Sequence, residues 1–339
     1  MPALKIGPIG LAGVELETWL LKFDKFGTCV SPQTRAALLA RLGTNPKQPV
    51  ILFSHGWNNE FADARSLYTS FLTEIQKHLH TYGTVSVPPL FVGVIWPSTW
   101  LSFDTGPQIG AELGPAGGDS DGVFARELAG ELDDPAQREE LLGLLRMRQI
   151  QGRDAQRLAQ LTAQALRCGP RAAAADTADT VADGADSLLW GAQALGELDG
   201  TVHSSCQQFE EGGTIDDALP TGPRQAGLLS LIDPRKLLQV ASVYQMKDRA
   251  GTVGAAGIAA LLHDILGGGT TSLHMVGHSF GAKVILSAIA AADLPYGRKV
   301  TSALLLQPAI SHLCFAVDAV GAYGRGGYRG VPEKSANRC

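Results

Sequence analysis

Leu273-His274-Met275-Val276-Gly277-His278-Ser279-Phe280-Gly281-Ala282-Lys283-Val284-Ile285-Leu286 is the stretch that decides the fold. A short apolar run ends in Gly-His-Ser-Phe-Gly, and an apolar-periodic helix pattern starts at once. That order predicts a strand, a sharp turn and a helix, with Ser279 exposed at the turn above a parallel sheet: a nucleophile elbow. Gly277 and Gly281 lack a Cβ, so strand and helix can approach closely around the serine. The helix start offers unpaired N–H groups and the positive end of a dipole to a developing oxyanion.

The pattern needs its context, because Gly-x-Ser-x-Gly arises readily by chance in a chain with 40 glycines. Gly118-Asp119-Ser120-Asp121-Gly122 fits it as well. It follows Gly114-Pro115-Ala116-Gly117, which reads as loop, and two carboxylates flank the serine. Ser120 is therefore read as a loop residue and Ser279 as the elbow.

Outward from the elbow, the chain alternates strands and helices. Thr18 to Phe23 reads as an early strand, and Ser31-Pro32 starts a helix that runs to Leu42 and stops at Gly43. Pro49 to Phe53 is a β-branched and aromatic run suited to a buried parallel strand. It leads into Ser54-His55-Gly56-Trp57-Asn58-Asn59, where Asn58 or Asn59 is expected to cap a helix reaching about His80. Leu90 to Trp96 is another buried strand, closed by Pro97, and Val300 to Leu306 is the last. This rhythm predicts an α/β fold, a doubly wound and mostly parallel sheet.

Between the flanks the composition changes. Residues 102–134 are rich in Gly, Pro and Asp and read as a long loop, followed by one long charged helix from Arg138 to Cys168. A helix over Thr177 to Leu195 and a loop over Gly196 to Gly222 complete a helical cap insertion, 102–230. It separates residues 1–101 and 231–320, the two parts of the core, and 321–339 reads as a flexible tail. Asp233-Pro234 opens the next helix. Gly251-Thr252-Val253-Gly254-Ala255-Ala256-Gly257 resembles a phosphate-binding loop at a glance, but no strand precedes it, and it reads as a helix-to-helix bend.

Composition excludes several classes. The chain has 339 residues, 45% hydrophobic and 18% charged, enough for a large core. A net charge of −5 and the lack of a basic stripe give no footprint for nucleic acid. The five cysteines are scattered at no metal-ligand spacing, so no metal and no organic cofactor is expected, and a reduced, cytoplasmic chain is the simplest reading. Neither a signal peptide nor a membrane span is expected.

The strand–elbow–helix together with His55-Gly56-Trp57 resembles the α/β-hydrolase superfamily, specifically its esterase- and lipase-like members, over about 18 to 101 and 231 to 320. The resemblance implies Ser279 as nucleophile, the backbone N–H groups of Trp57 and Phe280 as the oxyanion hole, and His55, Gly56 and His278 as turn and elbow support. It implies an acyl-serine intermediate and a small ester or lipid-like substrate. It also implies the chain order serine, acid, histidine. His312 is the one histidine after Ser279 and so the candidate base; Asp318 is the candidate acid, although no histidine follows it. The superfamily continues with two further strands where this chain ends. Three readings stay open: a truncated or frame-shifted product that has lost its partners, a chain using a rearranged base such as His312 or His203, or a silent descendant that keeps the fold for binding. Without those strands the strand at Val300 to Leu306 becomes a sheet edge, for which a homodimer is expected.

Overall fold

The computed structural model describes residues 7–57, 59–83, 87–98, 120–168, 185–186, 188–195, 231–268, 272–295, 297–318 and 325–335. The chain divides into two compact units, residues 1–100, 170–180 and 246–339 in the first, 101–169 and 181–245 in the second.

The first unit is built on five strands: β1 (Thr18–Lys22), β2 (Val50–Ser54), β3 (Leu90–Ile95), β4 (Leu273–His278) and β5 (Ser302–Leu306). They form one sheet in the order β1-β3-β2-β4-β5, and all four pairings are parallel. A central parallel strand is covered on both faces, which is why β2 and β3 read as nearly unbroken apolar runs. Alternate residues of these strands go to opposite faces. On one face Leu52, Val92, Val94 and Met275 pack against helix α1 (Pro32–Gly43) and the helical run after residue 245. On the other face Leu20, Phe53, Phe91 and Val276 pack against Ala64, Tyr68 and Leu72 of α2 (Phe61–Tyr82).

This winding positions the site. From β2 the chain crosses through α2 on one face to reach β3. From β4 it crosses through the helix after the elbow, on the opposite face, to reach β5. The neighbouring strands β2 and β4 thus send their chains apart, which makes their carboxyl ends the topological switch point, the place where open α/β sheets as a class bind ligands.

The second unit is helical among its described residues: α3 (Ser120–Gly130), α4 (Pro135–Leu145), α5 (Gly152–Cys168) and a helical stretch at 188–195. Here the structure corrects the sequence reading. Ser120 is the first residue of α3 rather than part of a loop that runs on to residue 134. The single long helix from Arg138 is two helices. Asp134 accepts a hydrogen bond from the Ala136 N–H and starts α4 ahead of Arg138. The chain then breaks at 146–151, where Ile150 and Ile232 exchange two backbone hydrogen bonds of 2.9 and 2.8 Å. Gly152, with φ +56°, restarts the helix as α5. Gln245, the last residue of this unit, lies inside the next helix, α6 (Pro234–Thr252).

After α6 the helix continues through a π-helical segment (Val253–Ile258) into α7 (Ala259–Gly267). The three glycines read as a bend lie in this continuous helix. Their smallness serves packing: a Cβ on Gly254 would strike the Val284 carbonyl oxygen, and one on Gly257 the Gly27 carbonyl oxygen. Pro234–Gly267 is long and apolar enough to cross a membrane by length and composition, and 61% of its most apolar window is buried.

The tail is also corrected. Residues 325–335 pack on the core: Tyr328 is fully buried and shares a 2.8 Å hydrogen bond with Ser287. A 3₁₀ turn at Pro332–Lys334 brings the Lys334 ammonium to the carbonyls of Ala290 and Ala292, 2.8 Å from each. Ser335 bridges to Val300, just before the edge strand β5, on which Leu304 is half exposed.

Candidate functional site

Ser279 joins β4 to α8 (Phe280–Ala291) with φ 53° and ψ −121°. A side chain held at positive φ outside glycine costs about 1–3 kcal/mol and persists only where its surroundings fix it. Three backbone hydrogen bonds do so. The Ser279 N–H donates to Leu306 O at 3.0 Å, and its carbonyl accepts from Ala282 N–H at 3.0 Å and Ala309 N–H at 3.2 Å. The carboxyl end of β5 therefore clasps the elbow from both sides of one residue. Ser279→Gly relieves the strain and is expected to be about 1 kcal/mol more stable than Ser279→Ala in urea unfolding.

The elbow glycines set how close the elements come. A Cβ on Gly281 would drive into the carbonyl oxygens of Ser54 and His55, and one on Gly277 would lie 2.6 Å from Ala282 Cα. Helix α8 therefore rests directly on β4 and on the end of β2. The turn after β2 meets the serine: a Cβ on Gly56 would be 2.9 Å from Ser279 Cβ and 3.0 Å from His278 Nδ1. The Trp57 and Phe280 rings lie 6.1 Å apart between centroids. Phe280 is the first residue of α8, so its N–H has no intrahelical acceptor. Among the described residues neither that group nor the Trp57 N–H donates a backbone hydrogen bond.

His55 is built into the turn as a neutral ring. Its Nδ1 donates to Gly56 O at 2.9 Å, and Nε2 accepts a longer 3.4 Å contact from the Trp96 N–H. The ring stacks on Trp96, whose Nε1 donates to His55 O at 3.0 Å. The His55 N–H donates to the Tyr68 hydroxyl, which in turn donates to Val94 O at 2.6 Å. Burial, above all, holds the His55 pKa down at about 4 from its ordinary 6.5. This imidazole is a structural strut.

A pH dependence follows. The unfolded chain binds the His55 proton below about 6.5 and the folded chain only below about 4. The stabilisation is complete above pH 6.5 and is lost as pH falls from 6.5 to 4, by about 3 kcal/mol in all. Urea unfolding across that window is expected to show this slope in the wild type and to lose it in His55→Gln. An equal slope in both proteins would assign it to other groups.

Asn59 does not cap α2. Glu60 does, in a reciprocal capping box with Asp63, and Asn58 lies outside the described residues. The Asn59 amide instead donates to Gly56 O (3.2 Å) and Trp57 O (2.9 Å). Its backbone is held by Ser98, whose hydroxyl accepts from Asn59 N–H and donates to Asn59 O. These bonds fix the turn from the outside.

Comparisons with protein-family profiles, with curated proteins and with solved structures found no match.

The structure keeps the remaining candidates apart. His312 and Asp318 lie on the exposed segment after β5, and no described hydrogen bond or ion pair joins either of them to Ser279 or to the other. His203 lies outside the described residues. His263 bonds to Asp293 O, and His274, only partly buried, to the Ser302 hydroxyl across the β4–β5 pair rather than to backbone. His278 projects beside Gly56 with its Nδ1 enclosed and without a partner among the described residues. No cluster of metal-ligating side chains occurs among the described residues. Two contributors escaped sequence reasoning. Gln307, at φ 44° before Pro308, turns the chain so that Leu306 and Ala309 both reach Ser279. The residue before a proline is normally extended, so the sequence signal pointed the other way. Tyr68 belongs to no motif in the sequence, and nothing local marks its hydroxyl as a tie between β3 and the turn.

Proposed function

We propose that the protein is a serine hydrolase of α/β-hydrolase type that cleaves carboxylic esters through an acyl-serine intermediate. The observation that carries this reading is Ser279, held at positive φ at a strand–helix junction at the switch point between β2 and β4. Strain of this kind concentrates at functional sites. The uncommitted N–H groups of Trp57 and Phe280 support it, since the turn that carries Trp57 touches the serine.

In the proposed reaction the Ser279 hydroxyl attacks the ester carbonyl and its proton passes to a base. The carbonyl oxygen becomes an oxyanion held by the two N–H groups. Collapse expels the alcohol, which takes the proton, and leaves acyl-Ser279. Water repeats the sequence, releasing the acid and restoring the serine. The candidate base within the described residues is His312, on the segment that follows the Ala309 clasp. In a second reading the fold serves binding without turnover. It draws on the absence, among the described residues, of a base hydrogen-bonded to Ser279.

Labelling with a fluorophosphonate, followed by mass spectrometry of the modified peptide, separates the two. Modification at Ser279, lost in Ser279→Ala, is expected. An unlabelled wild-type protein that is folded by circular dichroism would favour the binding reading.

A further inference from the structure

A second feature lies wholly within the first unit and does not rest on the reading of Ser279. A cavity of about 410 Å³ opens where two helices end. Leu39, Leu42 and Gly43 of α1 line it, with residues 263–265 and 267–268 at the end of α7. Its volume is that of a small-molecule site. Asp264 is the one carboxylate among the described lining residues, and no lysine or arginine accompanies it there. Its Oδ2 accepts a 2.6 Å bond from Arg35, and Oδ1 has no partner among the described residues. One guanidinium bond leaves a carboxylate with acceptor capacity to spare. His263 adds an acceptor. Its Nδ1 lies 2.6 Å from Asp293 O. A carbonyl oxygen only accepts, so Nδ1 carries the proton and the neutral ring keeps a lone pair on Nε2.

The backbone contributes the same polarity. The last carbonyls of a helix lack intrahelical donors and carry the negative end of its dipole. Some are taken: Arg41 O and Leu42 O by the turn after α1, Asp264 O by the Gly268 N–H, and Leu266 O by the Arg298 side chain. Arg298 shows which sign of charge this end of α7 draws. The carbonyls of Gly43, Ile265 and Gly267 accept no such bond among the described residues. Glycine at 43, 267 and 268 leaves this backbone without side-chain cover, and a Cβ added to Gly43 would meet nothing within 4 Å. Leu39, Leu42 and Ile265 supply the apolar part of the wall. The lining thus presents acceptors beside hydrocarbon. A primary ammonium on an alkyl chain is its complement, with three N–H donors and no acceptor.

We propose that this cavity binds a primary amine in its ammonium form. Its N–H donors are shared among Asp264, His263 and the helix-end carbonyls, and its alkyl group lies along Leu39, Leu42 and Ile265. The test is isothermal titration of the full chain with hexylammonium chloride, beside hexanol and sodium hexanoate of the same chain length. One-to-one binding of hexylammonium is expected, at least tenfold tighter than either of the others and weaker with added salt. Its affinity should fall at least fivefold in His263→Ala and in Asp264→Asn. His263 is exposed, so its loss should leave the melting curve nearly unchanged. Asp264→Asn also loosens Arg35, so Gly43→Phe serves as the independent variant. It has room for its Cβ and should obstruct the cavity while Asp264 and Arg35 stay in place. No binding of hexylammonium, equal binding of hexanol or hexanoate, or wild-type affinity in His263→Ala or in Gly43→Phe would overturn the proposal.

Discussion

Ser279→Ala is expected to lower kcat/KM for p-nitrophenyl butyrate at least 10³-fold, which corresponds to about 4 kcal/mol of transition-state stabilisation. The size of the drop comes from what remains. In the proposed mechanism no acyl-enzyme can form without the hydroxyl, and catalysis would fall to what the Trp57 and Phe280 N–H groups could do by holding the oxyanion for direct attack by water. One such donor typically contributes about 3–4 kcal/mol. The variant keeps its Cβ and the three backbone hydrogen bonds of residue 279, so stability should change little and lost turnover reports chemistry rather than folding. A decrease smaller than tenfold, with the protein intact, would show that any esterase activity arises elsewhere.

Gly281→Ala is expected to destabilise the first unit by about 3 kcal/mol or more. The added methyl has nowhere to go: it points at the carbonyl oxygens of Ser54 and His55, which are backbone and cannot swing aside. Relief requires lifting α8 off the end of β2, which would also move Ser279 away from Gly56. Overpacking against backbone belongs among the largest single-residue effects. Gly143→Ala in α4 is the matched control. A Cβ there meets nothing within 4 Å, and removing a helical glycine should stabilise by about 0.5–1 kcal/mol. Thermal melts of both variants test the contrast, and equal behaviour would contradict the close seating of α8.

Most of the sheet was legible because parallel central strands announce themselves. The β-branched and aromatic runs at Val50 and Leu90 leave few other assignments, and Ser31-Pro32 and Asp233-Pro234 each mark a helix start. The elbow was legible for the same reason, since glycines flank a serine where a strand gives way to a helix. What escaped depends on distance along the chain. The Ile150–Ile232 bridge that breaks the long helical pattern pairs residues far apart, and no local period encodes it. Asn59 had two plausible local roles, and the decision lay with Glu60 and Asp63, whose mutual capping left Asn59 to the turn. The 321–339 tail looked flexible because five of the ten residues from Gly321 to Gly330 are glycine. Gly326 is small for a packing reason, as a Cβ there would strike the Cys314 carbonyl oxygen.

That segment gives the molecule a long-range genetic vulnerability. Lys334 closes the carboxyl end of α8, and Tyr328 reaches Ser287 in its interior, while Ser279 stands at the opposite end of the same helix. A nonsense change anywhere between codons 300 and 325 would leave every residue of the elbow encoded and still remove the bolts that hold its helix. In a mutational screen, inactivating alleles should therefore cluster in two places remote in sequence: around codon 279, and at codons 328 and 334.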